Sequence, residues 1–173
     1  GLFVVVSCGK PTDPETMNTY ESAGYKLVSR YATTGFAQDV VIKDNLAYIA
    51  QGEGGLLILD ISDPLSPVEV SVTNEGVRGY SNKVIIKDST VLLAAGSFGI
   101  NVIDASDPAF PEVIIENLGI KPAKNFHIMG DFLFTAISEQ GFNVSNISNP
   151  NLPEIRGETK TVGYVKGTAA FTK

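Results

Sequence analysis

The sequence predicts an all-β chain built from β-propeller blades, each blade four antiparallel strands. Three observations carry this. Landmark residues recur every 42–44 positions, each repeat reads as four short strands separated by turn signals, and no segment shows the apolar spacing of a helix. Pro64, Pro108 and Pro150 are 44 and 42 residues apart; Pro67, Pro111 and Pro153 keep those intervals, and so do Gly55, Gly99 and Gly141. Gly35 and Gly79 are 44 apart, and Gly163 follows 84 further on, two periods of 42.

The elements follow in order. In the first repeat "VVIK" (40–43) meets the tight turn Asp44-Asn45, then "LAYIAQ" (46–51), the loop "GEGG", "LLILDI" (56–61), the loop "SDPLSP" and "VEVSVT" (68–73). The second repeat reads "VIIK", Asp88-Ser89, "TVLLAAG", "SFG", "INVIDA" and "EVIIENL"; the third reads "FHIM", Gly130-Asp131, "FLFTAI", "SEQG", "FNVSNI" and "EIRGETK". Asp, Asn, Ser and Gly suit tight hairpin turns. The first two or three strands of each repeat are nearly continuous apolar runs, as expected for sheets buried on both faces. The fourth alternates, as an outer edge would. A β-sandwich explains the strands but not the period; a propeller blade explains both.

Residues 25–34 ("YKLVSRY" within them) read as the outer strand of a preceding blade. Residues 35–78, 79–120 and 121–162 read as full blades, and 163–173 as the start of the next. Propellers typically close with about four to eight blades. About three full blades plus partial ones therefore leave blade faces open. They are expected to be covered by the rest of a longer propeller or by another copy.

The chain has 173 residues, 43% of them hydrophobic, with a net charge of −6. That balance argues against nucleic acid or an anionic membrane surface as partner. One cysteine and one histidine exclude an intrachain disulfide and a metal site built on several such ligands. No apolar run is long enough to span a bilayer as a helix. Residues 1–24 contain "VVSC" ending at Cys8, followed by a polar segment with Pro11 and Pro14. This resembles a bacterial lipobox and tether, with Cys8 as the lipidated residue; the alternative is an edge strand with an inert thiol. The lipobox reading places the protein in the cell envelope, lipid-anchored and facing the periplasm or the exterior.

"GLLILDISDP" (55–64) closely resembles the LVIVD repeat, and the preceding "YKLVSRYATTGFAQDVVIKDNLAYIAQGEGG" resembles its usual lead-in. "GINVIDASDP" is a second copy. "GFNVSNISNP" is a weaker third, with Asn146 and Asn149 where that repeat has Asp. The resemblance covers about residues 25–173. It implies a β-propeller-like fold in bacterial and archaeal surface or secreted proteins, and no defined activity or catalytic residues.

The Asp60, Ser62, Asp63 loop invites a calcium reading, since calcium takes clustered oxygens. Its spacing is not that of an EF-hand, and the third copy carries Asn. A turn explains every residue: Asp or Asn accepts backbone N–H groups two positions on, Pro64 fixes φ, and Pro67 opens the next strand. His127 aligns with Val41 and Ile85, so it reads as a residue packed between blades or near the axis, with a catalytic base as the alternative. "GEGG" and "GSFG" lack the following helix of a phosphate loop. No motif asks for a cofactor.

The stronger candidate is a surface. In an up-and-down blade the loops between second and third strands share one face with the crossovers into each new blade. That face collects Phe36, Gln38, Tyr80, Asn82, Lys124, Asn125, Tyr164 and Lys166 from the crossovers, and Glu53, Phe98, Glu139 and Gln140 from the loops. An aromatic follows the crossover glycine three times (Phe36, Tyr80, Tyr164), with varied polar groups beside it. Such a rim can bind; it can also only pack the blade junctions. The sequence therefore points to a non-catalytic surface module for a protein or glycan. Two alternatives stay open: an enzyme whose axial site is completed by residues outside this chain, and a structural spacer of a larger surface protein.

Overall fold

The computed structural model describes residues 27–169. Twelve strands form three four-stranded antiparallel sheets, and among the described residues there is no helix. The first sheet is β1 (Asp39–Lys43), β2 (Leu46–Ala50), β3 (Leu56–Asp60) and β4 (Val68–Thr73). The second is β5 (Lys83–Lys87), β6 (Thr90–Ala94), β7 (Ile100–Asp104) and β8 (Glu112–Ile115). The third is β9 (Asn125–Met129), β10 (Phe132–Ala136), β11 (Phe142–Asn146) and β12 (Glu154–Thr159). Each sheet is an up-and-down meander with its strands in chain order. These are propeller-like blades, and each sheet lies inside one of the three repeats.

Local chemistry explains the turns. Asp44, Asp88 and Gly130 occupy the first position of the three inner hairpins, with φ of 55°, 54° and 59°. That left-handed conformation favours Gly and is tolerated by Asp. The "D-P" loops are turns built as read from the sequence. Asp60, Asp104 and Asn146 accept the N–H of Ser62, Ser106 and Ser148, each at 2.8 Å. Asp63, Asp107 and Asn149 accept the N–H of Leu65, Ala109 and Asn151 at 3.0, 3.0 and 3.3 Å. Asp and Asn work alike because only the side-chain oxygen is used. The hydrogen bonds at Ser62 hold the Asp60 carboxyl below its ordinary value. One bulge per blade, at Ile58/Leu59, Val102/Ile103 and Val144/Ser145, sits between the third and fourth strands. A bulge locally increases strand twist.

The core lies between blades. Val41, Leu46, Tyr48, Leu56 and Ile58 of the first pack against Val84, Ile86, Val91, Leu93 and Ile103 of the second. Leu92, Ala94, Ile100 and Val102 pack in turn against Phe126, Leu133, Ile137 and Ile147 of the third. Both faces of the second blade are thus covered, which is why β6 is buried throughout. Lysines tie the inner turns together: Lys43 Nζ donates to the Asp88 carbonyl, and Lys87 Nζ donates to the Gly130 carbonyl and to Asp131 Oδ1 at 2.8 and 2.6 Å.

The flanking segments depart from the expectation. Residues 27–34 form no strand ladder, since no third strand of a preceding blade stands beside them among the described residues. They nonetheless take an outer strand's place. Ser29 Oγ donates to the Pro64 carbonyl at 2.6 Å, just as Ser71 Oγ on β4 donates to the Pro108 carbonyl at 2.7 Å. Tyr31 packs on the cluster of Ala47, Ile49, Leu57 and Leu59 and donates its hydroxyl to Glu69 at 2.7 Å. The inner strand β1 is not buried on both faces, contrary to the continuous-run argument: Val40 and Ile42 look toward the uncovered side. Cys8 and the lipobox lie outside the described residues.

Candidate functional site: the crossover face

The crossovers are fastened to the loops of the preceding blade. Gly52 and Ser81 exchange two backbone hydrogen bonds (3.1 and 3.0 Å), and so do Gly96 and Ala123 (3.0 and 2.9 Å). Val165 N–H donates to the Ser138 carbonyl at 2.9 Å in the same relation. Gly52, Gly96 and Ser138 carry φ of 61°, 57° and 58° at this bridge. The bridges put the second-to-third-strand loops and the crossovers on one face, as strand order requires.

Two buried amides add latches the sequence reading missed. Gln51 Oε1 accepts Gly35 N–H at 3.2 Å while its Nε2 donates to the Gly54 carbonyl at 3.1 Å. Asn101 clamps Arg78 both ways: Oδ1 accepts its N–H at 3.1 Å and Nδ2 donates to its carbonyl at 3.0 Å. Their signal was a polar residue inside an apolar run. A buried amide persists only when both ends are satisfied.

On this scaffold the candidate residues fall into groups. The first joins Phe36, Gln38 and Tyr80, with Glu53 next to it in the chain after Gly52. Gln38 Nε2 donates to Tyr80 Oη at 3.1 Å and lies 3.3 Å from the Phe36 carbonyl. The Tyr80 ring lies against Gly52, so close that a Cβ there would sit 2.7 Å from the ring. Glu53 follows Gly52 and is exposed. Phe98 extends the group, packing on Gly79, where a Cβ would meet its side chain at 2.8 Å. Phe36, Tyr80 and Phe98 remain 61%, 39% and 49% exposed. The tyrosine and the second phenylalanine therefore both pack junctions and show surface.

The second group is Tyr164 with Glu139. The Glu139 carboxylate, as hydrogen-bond partner and then as charge, raises the exposed Tyr164 phenol above its ordinary value. Gln140 and Lys166 are exposed nearby in sequence. Asn82, Lys124 and Asn125 join neither group. Asn82 is half-buried beside Gly96, Asn125 opens β9 near Gly167, and Lys124 is exposed while its N–H pairs with the Ala136 carbonyl at 3.0 Å.

His127 pairs across β10 with Phe134 and is half-buried. Its neighbours Phe126 and Ile128 pack toward the second blade, so strand alternation turns His127 to the other side of the sheet. It does not pack between two of the three sheets, as alignment with Val41 and Ile85 suggested. Among the described residues no cluster of three or more His, Cys, Asp or Glu could hold a metal ion.

The model for the LVIVD repeat matches residues 34–74 and 122–161. No curated protein matches the chain. Among solved structures it is similar to the computationally designed Ika4 protein, with a TM-score of 0.66 and 12% identity over 87% of this chain and 89% of that one. It is also similar to the designed Ika8 protein, with a TM-score of 0.65 and 13% identity over 86% of this chain and 44% of that one. At these identities the likeness is one of fold alone. The intervening blade of residues 79–120 repeats the same turns and bridges as the two matched ones, and the chain carries LVIVD repeats at residues 34–74 and 122–161.

Proposed function

We propose that the chain is a non-catalytic binding module that takes a protein or glycan through the crossover face. The observation that supports this is the cluster of Phe36, Gln38, Tyr80 and Phe98, where three rings stay exposed although two are pinned on glycines. A side chain held in one conformation loses little entropy on binding, so a rigid exposed aromatic is an efficient contact. The setting proposed for it is the cell envelope, with a lipid anchor at Cys8.

The test compares the folded protein with Tyr80→Lys and Phe98→Lys variants in a cross-linking pull-down and in glycan binding. Both variants should keep the strand-rich circular dichroism spectrum and lose the partner. A folded protein that recovers no partner and binds no glycan overturns the reading.

A further inference from the structure

We infer that the cluster formed by Phe36, Gln38, Glu53, Tyr80 and Phe98 is a subsite for an uncharged oligosaccharide; this rests on the binding reading above. The rings are platforms rather than anchors for a pocket. Tyr80 has Gly52 on one side and solvent on the other; Phe98 rests on Gly79, the residue before Tyr80. The Phe36 carbonyl is joined to the Tyr80 hydroxyl through the Gln38 amide, and the Phe36 ring is exposed beside that link. The rings therefore run along two consecutive crossovers and the loop that packs on the second.

This arrangement suits sugar better than protein. Protein hot spots sit in desolvated pockets ringed by other contacts, whereas these rings stand on an open face. The C–H faces of a pyranose carry partial positive charge and stack on the negative face of an aromatic ring. Its vicinal hydroxyls need planar groups that donate and accept side by side. The Tyr80 hydroxyl, which accepts Gln38 Nε2, keeps its own hydrogen to donate, and Gln38 Oε1 and the Glu53 carboxylate accept. The charges nearby favour an uncharged ligand: Glu53 repels an acidic sugar, and Lys83 and Arg78 are already engaged by Asp39 and Glu116. Three exposed rings spread over two crossovers and a loop also match a chain of sugar residues better than a single compact one.

Affinity electrophoresis of the folded protein in gels carrying a soluble β-glucan, xylan or mannan tests this. At least one of these polysaccharides should retard the protein. Phe36→Ala and Tyr80→Ala should each weaken retardation by about tenfold, and Phe36→Tyr should retain it. Phe110→Ala, at an exposed loop residue on the opposite face, should leave it unchanged. Tyr80→Ala removes packing on Gly52, so Phe36→Ala serves as the variant that touches no junction. Retardation that survives both alanine variants overturns the assignment. No retardation by any of the three, with a protein partner still lost in Tyr80→Lys, overturns the sugar and leaves the binding face. No ligand of either class overturns both.

Discussion

The carboxylate of Asp39 accepts the backbone N–H of Val84 at 3.0 Å, joining the inner strands of two adjacent blades; its other oxygen takes Lys83 Nζ at 3.0 Å. Both groups are partly shielded, so the contact is worth more than a surface pair. Asp39→Ala leaves a shielded N–H without its acceptor and is expected to cost about 1–2 kcal/mol in urea unfolding. Asp39→Asn keeps an oxygen for Val84 and should cost about half as much. Equal losses in the two variants would show that the Lys83 pair, not the Val84 bond, carries the effect.

Alkaline pH is expected to weaken the fold through Tyr48. Burial first, and the Asp44 charge second, raise its phenol above the ordinary 10.0. The native state thus favours the neutral form. This contribution is fully present below about pH 10 and is lost as pH rises through the higher native value. Unfolding free energy measured between about pH 9 and 11.5 should fall, and Tyr48→Phe should flatten that fall. An unchanged slope in the variant would exclude Tyr48 as a source.

The architecture was legible because its determinants are periodic. Gly52 and Gly96, or Asp60 and Asp104, do the same job one repeat apart, so the interval exposes the job. Contacts between repeats were not legible in that way. Asp39 aligns with Lys83 and Asn125, three unlike residues, and their pairing follows only once two inner strands stand side by side. Strand order alone puts the second-to-third-strand loops and the crossovers on one face, and the bridges at Gly52–Ser81 and Gly96–Ala123 join them there. Which residues of that face meet was not legible: Gln38 reaches Tyr80, 42 positions on, and leaves Asn82 and Lys124 apart. The burial of β1 was overread because an apolar run specifies what a face can bury, not whether a neighbour is present.

The third blade carries two residues that work against it. Ser138 holds φ 58° where the other bridges have glycine, at a cost of about 1 kcal/mol. The Thr135 hydroxyl is buried without a partner, where the repeats place Ile49 and Leu93. Ser138→Gly and Thr135→Val are each expected to stabilise by about 1 kcal/mol. Thermal or urea unfolding of the single variants checks this. A neutral Thr135→Val would mean that the hydroxyl finds a partner, such as water, in solution.

Val40 and Val84 hold the same place on β1 and β5, yet Val40 is 41% exposed and Val84 only 3%. The difference is the preceding blade: Val84 has Val41, Leu46 and Tyr48 against it, whereas Val40 lies beyond the cover given by Tyr31 and Ala37. Cavity formation should make Val84→Ala cost about 2 kcal/mol and Val40→Ala under about 1 kcal/mol. The comparison also reads out whether the open face is covered in solution, by further blades or by another copy. Cover by another copy would raise the cost of Val40→Ala toward that of Val84→Ala and make it depend on protein concentration. Cover by further blades of the same chain would raise it without such dependence. Unfolding the two variants over a hundredfold range of concentration separates these outcomes from a face that stays bare.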